Sequence, residues 1–453
     1  MNVGNFEEVR WKIHDFLAEG NYEPLEEFLL EVHYADLAEV LRTFALEERV
    51  ELLRHIERER AAQVLFELDR DEITPLLKGL GRKASAQILQ EMSADDAADL
   101  LGELPEDEQE QYLRLMSDPE AEDVAELLEY GAETAGGIMT TEFVAVNKEL
   151  TTDEAIQILR RMAQEAETVY YVYVVNDQNQ LVGVISLREM ILAAPGARIE
   201  DVMRTSPLIR VLVDTDREEV ARVVAKYDFL AVPVVNDKEA LLGIVTVDDV
   251  LDVIEEEATE DYLRLASVHQ ERYLELGVLQ RAGRRLPWLI ALLFGALLAG
   301  SVVKFYEDTL AGVVALAFFM PVIAGGPGNV GTQTMAVMVR GLATGEVDTR
   351  RVTQVIFKEI RVGMIVGVIS GLVLAAIATV WLDSALLGVV VGASLAAAMA
   401  TASAIGTLFP LLINRMGVDP ALASGPFITT VMDAISLMIY FTVASLIFFR
   451  FIG

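Results

Sequence analysis

The chain has 453 residues, with 36 basic and 70 acidic side chains, a net charge of −34 and no cysteine. Ten basic and eight acidic residues lie from Gly283 onward, which leaves 26 basic against 62 acidic in residues 1–282. Such an excess repels nucleic acid and attracts cations; the lack of cysteine excludes disulfides and thiolate sites, four scattered histidines (His14, His33, His55, His269) do not suggest a zinc centre, and hard, oxygen-ligated cations stay open.

The start is polar and charged, with no apolar leader, so the front of the chain is expected on the cytosolic side. Residues from about 5 to 130 show the apolar spacing of short amphipathic helices. A repeat of about 24 residues runs through them: Ala62-Gln63-Val64-Leu65 returns as Ala86-Gln87-Ile88-Leu89, and Leu76-Leu77 as Leu100-Leu101. Repeats of this kind stack helical pairs, each burying a face against the next. Asp95, Asp96 and Asp99 fall at the start of one helix, where carboxylates complement the helix dipole whatever else they do.

A second repeat spans about 138 to 256. Its first copy reads Tyr171-Val172-Tyr173-Val174-Val175-Asn176-Asp177, then Gly183-Val184-Ile185-Ser186-Leu187-Arg188-Glu189. Its second reads Val232-Pro233-Val234-Val235-Asn236-Asp237, then Gly243-Ile244-Val245-Thr246-Val247-Asp248-Asp249. Each predicts strand, turn, strand and helix, introduced by Met139-Thr140 or Met203-Arg204. This region resembles a tandem pair of cystathionine-β-synthase (CBS) domains. The resemblance implies an adenine nucleotide, ATP or another, in a cleft between copies, its ribose held by a Ser/Thr-x-x-Asp element. Thr246 and Asp249 match that element, and Ser186 with Arg188 occupies it in the first copy, where Glu189 stands in the acidic position. A nucleotide-free structural pair is the other reading.

Leu251–Arg281 predicts a long charged helix carrying Glu255, Glu256, Glu257, Glu260 and Asp261. Five apolar stretches follow, each long enough to cross a bilayer: Leu286–Val303, Leu310–Val339, Val362–Leu382, Ser384–Asn414 and Pro420–Phe449. Basic residues near their ends set the orientation. Arg281, Arg284 and Arg285 place the start of the first span inside, Arg340, Arg350, Arg351, Lys358 and Arg361 the loop after the second, and Arg415 the loop after the fourth.

Two spans carry features that lipid rejects. The second contains Met320-Pro321-Val322-Ile323-Ala324-Gly325-Gly326-Pro327-Gly328-Asn329-Val330-Gly331-Thr332-Gln333-Thr334, in which the prolines and glycines are expected to break the helix. The fifth contains Asp433 at mid-span, with Gly425 and Thr429 on the same stripe, and no Lys or Arg lies at matching depth elsewhere. A carboxylate there costs several kcal/mol unless it meets water, a cation or a partner. A cation ligand, a proton carrier and a protonated structural Asp all satisfy that condition.

This order of parts, with Gly326-Pro327-Gly328-Asn329, Gly331-Thr332-Gln333 and Val418-Asp419-Pro420-Ala421 leading to Asp433, resembles the MgtE family of magnesium channels. Pro327, Thr332 and Gly425 differ from the residues usual in that family. The resemblance implies a multidomain membrane protein: an acidic helical superhelix (1–132), first and second CBS domains (133–200, 201–256), a connecting helix (257–283) and an all-α pore domain of five spans (284–453). It implies a plasma-membrane homodimer taking up Mg²⁺, with Asp433, Thr429, Gly328, Asn329 and Thr332 lining the pore. It implies closure by cytosolic Mg²⁺ bound at Asp95, Asp99, Asp214, Asp216, Asp248, Glu256 and Glu260. Two rivals stay open: a proton- or Na⁺-coupled divalent-cation transporter, and a nucleotide-sensing scaffold without transport. With no nucleophile–base pair or phosphate loop in the sequence, an enzyme is not expected.

Overall fold

In the computed structural model the described residues are 3–19, 22–68, 70–163, 166–265, 277–343, 347, 352–416 and 425–452. The chain divides into two units, Met1–Ile254 and Glu255–Gly453.

The amphipathic spacing of the first unit folds as α1 (Val3–Glu19), α2 (Tyr22–Glu31), α3 (Tyr34–Leu41), α4 (Leu46–Arg54), α5 (Arg58–Phe66), α6 (Arg70–Leu80), α7 (Arg82–Leu89), α8 (Ala94–Gly102), α9 (Glu106–Leu113) and α10 (Asp118–Leu127). Alternate helices pack together, α3 on α5, α5 on α7 and α4 on α6. The repeat Ala62-Gln63-Val64-Leu65 and Ala86-Gln87-Ile88-Leu89 is thus the contact between equivalent helices, with Ala62, Val64, Leu65, Ala86, Ile88 and Leu89 all buried.

The CBS region forms two equivalent sheets. One is β1 (Ala145–Asn147), β2 (Tyr171–Val175) and β3 (Leu181–Ser186), with α11 (Thr152–Met162), α12 (Leu187–Leu192) and α13 (Ile199–Val202) around it. The other is β4 (Val211–Leu212), β5 (Ala231–Val235) and β6 (Leu241–Thr246), with α14 (Arg217–Tyr227) and α15 (Val247–Leu265). In each the first strand runs parallel to the second, and the second antiparallel to the third.

The two copies exchange their introductory segments. Thr140 pairs with Ile244 on β6 of the second copy, and Arg204 with Val184 on β3 of the first. This exchange explains the glycines of the repeat. A Cβ on Gly183 would sit 2.6 Å from Met203 Sδ, and one on Gly243 would sit 2.7 Å from the Thr140 carbonyl and 2.8 Å from Met139 Sδ. Each Met therefore packs onto a strand only where the strand has no side chain.

In the second unit, α15 continues to Leu265, and residues 266–276 of the expected long helix lie outside the described residues. The expectation of one helix through to the first span is corrected at Gly277, whose extended backbone caps a new helix, α16 (Val278–Phe305). Then follow α17 (Glu307–Gly312), a 3-10 turn (Val314–Phe319), α18 (Met320–Ala343), α19 (Val352–Leu382), α20 (Ala385–Arg415) and α21 (Gly425–Ile452). Among the described residues five helices are long and apolar enough to cross a membrane: Val278–Phe305, Val314–Leu342, Thr353–Leu382, Ala385–Arg415 and Gly425–Phe448. Small residues let α19 and α20 touch backbone to backbone, with Gly371 against the Gly392 carbonyl.

The expected break in the second span is also corrected: α18 is helical throughout. Pro321 lies in its first turn, where the missing N–H has no partner to lose. Pro327 removes a single intrahelical bond, and packing on α20 and α21 retains the helix around it. The irregular backbone lies upstream, in the 3-10 turn before Met320.

Candidate functional site

Two places concentrate chemistry, one in each unit. In the first, Asp95 on α8, Glu167 before β2 and Asp249 on α15 bring carboxylate oxygens within 4.8 Å of one another. Asp95 is 8% exposed, and its Oδ1 is buried without a hydrogen-bond partner among the described residues. An orphaned anionic oxygen in that setting costs several kcal/mol unless a cation or a proton answers it. Thr246 is buried beside it and its hydroxyl bonds the Asp249 carboxylate.

The electrostatics of the cluster follow from crowding like charges away from water. Burial is the main cause throughout, and neighbouring carboxylates add to it. Asp249 is pushed up to about 9, with Asp95 the strongest neighbour. Glu167 is exposed as a residue, but its carboxylate turns into the cluster, where burial and Asp95 push it to about 8. Asp96 rises to about 7 through burial and Asp95, and Glu142 to about 7 for the same two reasons. Asp95 itself is raised, by burial and then by Asp248 against the pull of Ser93 and local backbone N–H groups. Such a group holds protons or a cation in place of bulk water. Three carboxylates suit a hard divalent ion that retains part of its water shell.

Of the residues named from sequence as cytosolic cation ligands, Asp95 is in the group itself. Asp248 is exposed at its rim and adds to its field, and half-buried Asp99 acts on Asp96. Asp214 and Asp216 are exposed and outside the three-carboxylate group, and Asp216 caps α14 by accepting the Glu218 N–H at 2.9 Å. Glu256 and Glu260 lie on α15 in the second unit, and Glu260 pairs with Arg264 one turn on. Glu167 carries no sequence signal, and Asp249, expected from the resemblance at a nucleotide, lies in this group.

The nucleotide elements differ sharply between copies. In the first, Ser186 Oγ donates to Glu189 at 2.7 Å and accepts the Glu189 N–H at 3.2 Å, a capping box at the start of α12. Arg204 pairs with Glu189 at 2.6 Å, and Arg188 is exposed next to it in sequence. Burial opposes ionisation of Glu189, but Ser186 and Arg204 outweigh it and hold the carboxyl below its usual range. In the second copy, Thr246 and Asp249 form the same hydroxyl–carboxylate pair amid uncompensated acids.

The second place lies between α18 and α21. A Cβ on Gly328 would lie 3.4 Å from Thr429 Cα, so the two helices approach closely there. Thr332 Oγ1 donates to the Gly328 carbonyl at 2.9 Å, and Thr429 Oγ1 to the Pro426 carbonyl at 2.9 Å. Both hydroxyl protons are thus committed to backbone, leaving oxygen lone pairs available. Asp433 lies half-buried one turn beyond Thr429, and Asn329 and Gln333 are exposed on α18. Gly328 and Thr429 thus mark the close approach of α18 and α21, with Thr332 one turn on along α18, Asp433 one turn on along α21, and Asn329 and Gln333 one turn apart on α18. The motif Val418-Asp419-Pro420-Ala421 lies outside the described residues.

Comparison with known proteins follows this division. Residues 32–133 match the MgtE intracellular N domain, 135–196 and 199–256 match CBS domains, and 320–443 match the divalent cation transporter domain of MgtE. The chain is 42% identical to a magnesium transporter MgtE of Bacillus subtilis over 319 residues, 70% of each chain. It is 42% identical to a magnesium transporter MgtE of Thermus thermophilus over 327 residues, 72% of each. Among solved structures it is similar to the cytosolic domain of the Mg²⁺ channel MgtE in complex with ATP. There the TM-score is 0.52 at 40% identity, covering 54% of this chain and 99% of the other.

Proposed function

Because the chain belongs to the MgtE family of magnesium transporters, we propose that Asp433 binds the Mg²⁺ it transports and that the Asp95–Glu167–Asp249 group senses Mg²⁺ and closes the pathway. The protein is a multi-pass membrane protein with its helical and CBS regions ahead of the spans. The observation that carries the sensor reading is the buried, unpartnered Asp95 Oδ1 within reach of two further carboxylates.

Mg²⁺ dehydrates reluctantly and is held through few direct ligands. Asp433, with Thr429, Thr332, Asn329 and the backbone at Gly328, would therefore meet a hydrated ion through its waters. Asn329, Gln333 and part of Asp433 are exposed in a single chain, and lipid cannot satisfy them. Pairing of two copies in the plasma membrane around these residues gives them water and ion to face, which supports a pore on a homodimer axis. With Mg²⁺ scarce, repulsion among the acids loosens α8 from the CBS pair. With Mg²⁺ plentiful, the ion bridges them, and α15 carries the change toward the spans. An adenine nucleotide such as ATP takes the first copy's cleft, at Ser186, Arg188 and Glu189, and leaves Thr246 and Asp249 to the cation.

The test is Mg²⁺ flux into liposomes with the ion varied on the cytosolic face. Asp95→Asn with Asp249→Asn should shift closure to at least ~10-fold higher Mg²⁺, the loss of two charged ligands outweighing the relief of repulsion. Closure at the wild-type concentration would sink the sensor reading.

A further inference from the structure

Glu142 supplies no oxygen to the three-carboxylate group, yet its bonds reach the segments that carry Asp95 and Glu167 and, through Thr140, the strand that leads to Asp249. Its carboxylate Oε1 accepts the N–H of Ala94 at 3.2 Å, directly before Asp95. Its carbonyl accepts the N–H of Glu167 at 2.9 Å. Its own N–H donates to Thr140 Oγ1 at 3.3 Å. Thr140 in turn exchanges backbone bonds with Ile244 at 2.8 and 3.0 Å, on the strand that ends at Thr246, the partner of Asp249.

The bond to Ala94 matters because α8 lacks a cap of its own. Ser93 is at its N-cap position but makes no side-chain cap bond; its hydroxyl is turned to the Asp96 carboxylate. A free N–H at a helix start needs an acceptor, and a carboxylate is the best complement to the dipole there. The acceptor comes from the CBS pair, a different domain in sequence.

We propose that Glu142 is the positioning residue of the regulatory cation site: it caps α8 across the domain boundary and sets Asp95 and Glu167 opposite Asp249 without itself touching the ion. This rests on the sensor reading above. A ligand would act through its charge, whereas a cap needs only an acceptor oxygen at the right reach.

The experiment uses the full chain, in detergent for amide hydrogen exchange and in liposomes for Mg²⁺ flux. Glu142→Ala should speed exchange in the first turn of α8 and raise the half-closing Mg²⁺ concentration, each by roughly 3- to 10-fold, as expected for the loss of one ordinary hydrogen bond of about 0.5–1.5 kcal/mol. Glu142→Gln, which keeps the acceptor and drops the charge, should stay within ~2-fold of wild type on both readouts. Glu142→Asp, too short to reach Ala94 but still charged, should follow the alanine variant and covers the case in which alanine fails to fold. A glutamine variant as impaired as alanine, or an alanine variant unchanged, overturns the proposal. Asp95→Asn in parallel separates the two readings. Closure unaltered in Asp95→Asn removes the sensor itself, whereas closure altered there and unaltered in Glu142→Ala removes the positioning role alone.

Discussion

Asp95 and Asp249, from the helical region and the second CBS copy, bring carboxylate oxygens within 4.8 Å of each other, with Glu167 completing the group. Two like charges at that distance cannot both stay ionised away from water without a counter-charge. The docking of α8 on the CBS pair is therefore linked to whatever neutralises this group, and protons and divalent ions compete for the task.

That competition gives a pH prediction. In the folded protein Asp249 is raised to about 9, Glu167 to about 8, and Asp96 and Glu142 to about 7. In the unfolded chain all four titrate near 4. The folded state thus binds more protons between these limits, and stability falls as pH rises from about 4 to about 9. In divalent-free buffer, melting of the full chain should drop by several degrees between pH 5.5 and 9, a kcal/mol corresponding to about 2–4 °C in a domain of this size. Added Mg²⁺ should restore more at pH 9 than at pH 5.5, because at the lower pH protons already occupy the group. A melting point that climbs with pH in the absence of Mg²⁺ would contradict the arrangement.

The contrast between the two CBS copies predicts where a nucleotide binds. Glu189 is ionised and paired with Arg204, while Asp249 is crowded by acids. Glu189→Ala should weaken ATP binding by ~10-fold or more, since hydrogen bonds to a charged group contribute about 1.5–3 kcal/mol. Thr246→Ala should leave it within ~2-fold. Equilibrium dialysis with labelled ATP measures both, and the reverse ranking would move the nucleotide to the second cleft.

For the membrane unit, Asp433→Ala should abolish Mg²⁺ flux in liposomes, and Asp433→Asn should leave a small fraction of it. Neither should lower the melting point, because an unpaired carboxylate in a span is a cost that function maintains. A structural Asp held by neighbours would show the opposite pattern, with flux retained in folded protein and a clear loss of stability.

Much of this was legible in the sequence. Five spans stand out because a bilayer sets a length that charge-free runs such as Leu310–Val339 meet. The CBS repeat stands out because Tyr171–Val175 and Val232–Val235 repeat one strand with one turn. The site was only half legible. The resemblance names Asp95 and Asp248 for a cation and Asp249 for a nucleotide, whereas the structure gathers Asp95, Glu167 and Asp249, with Asp248 exposed at the rim. Adjacent residues in a first helical turn point different ways, and only the bond from Thr246 reveals which one turns inward. Glu167 and Glu142 precede strands in irregular segments, with no period or motif to mark them. The hydroxyl at Thr140, which orders that segment, was the available signal. The helix-break expectation failed because a proline inside a packed helix costs one bond rather than the helix.

The exchanged segments of the CBS pair support a last prediction, that equivalent glycines differ in tolerance. At Gly183 the nearest obstacle to a Cβ is Met203 Sδ at 2.6 Å, the mobile end of a flexible side chain, with the Arg204 carbonyl farther off at 3.1 Å. At Gly243 it is the Thr140 carbonyl at 2.7 Å, a backbone group fixed by its own bonds to Ile244. Gly183→Ala should therefore be absorbed by a turn of Met203, at a cost of about 1 kcal/mol or less, whereas Gly243→Ala must push Thr140 off β6 and should cost about 1–3 kcal/mol. Thr140 also anchors Glu142, so Gly243→Ala should raise the Mg²⁺ concentration needed for closure and Gly183→Ala should not. Melting temperature and flux on the two single variants decide it, and equal behaviour of the pair would mean that the Thr140 segment moves as freely as a side chain.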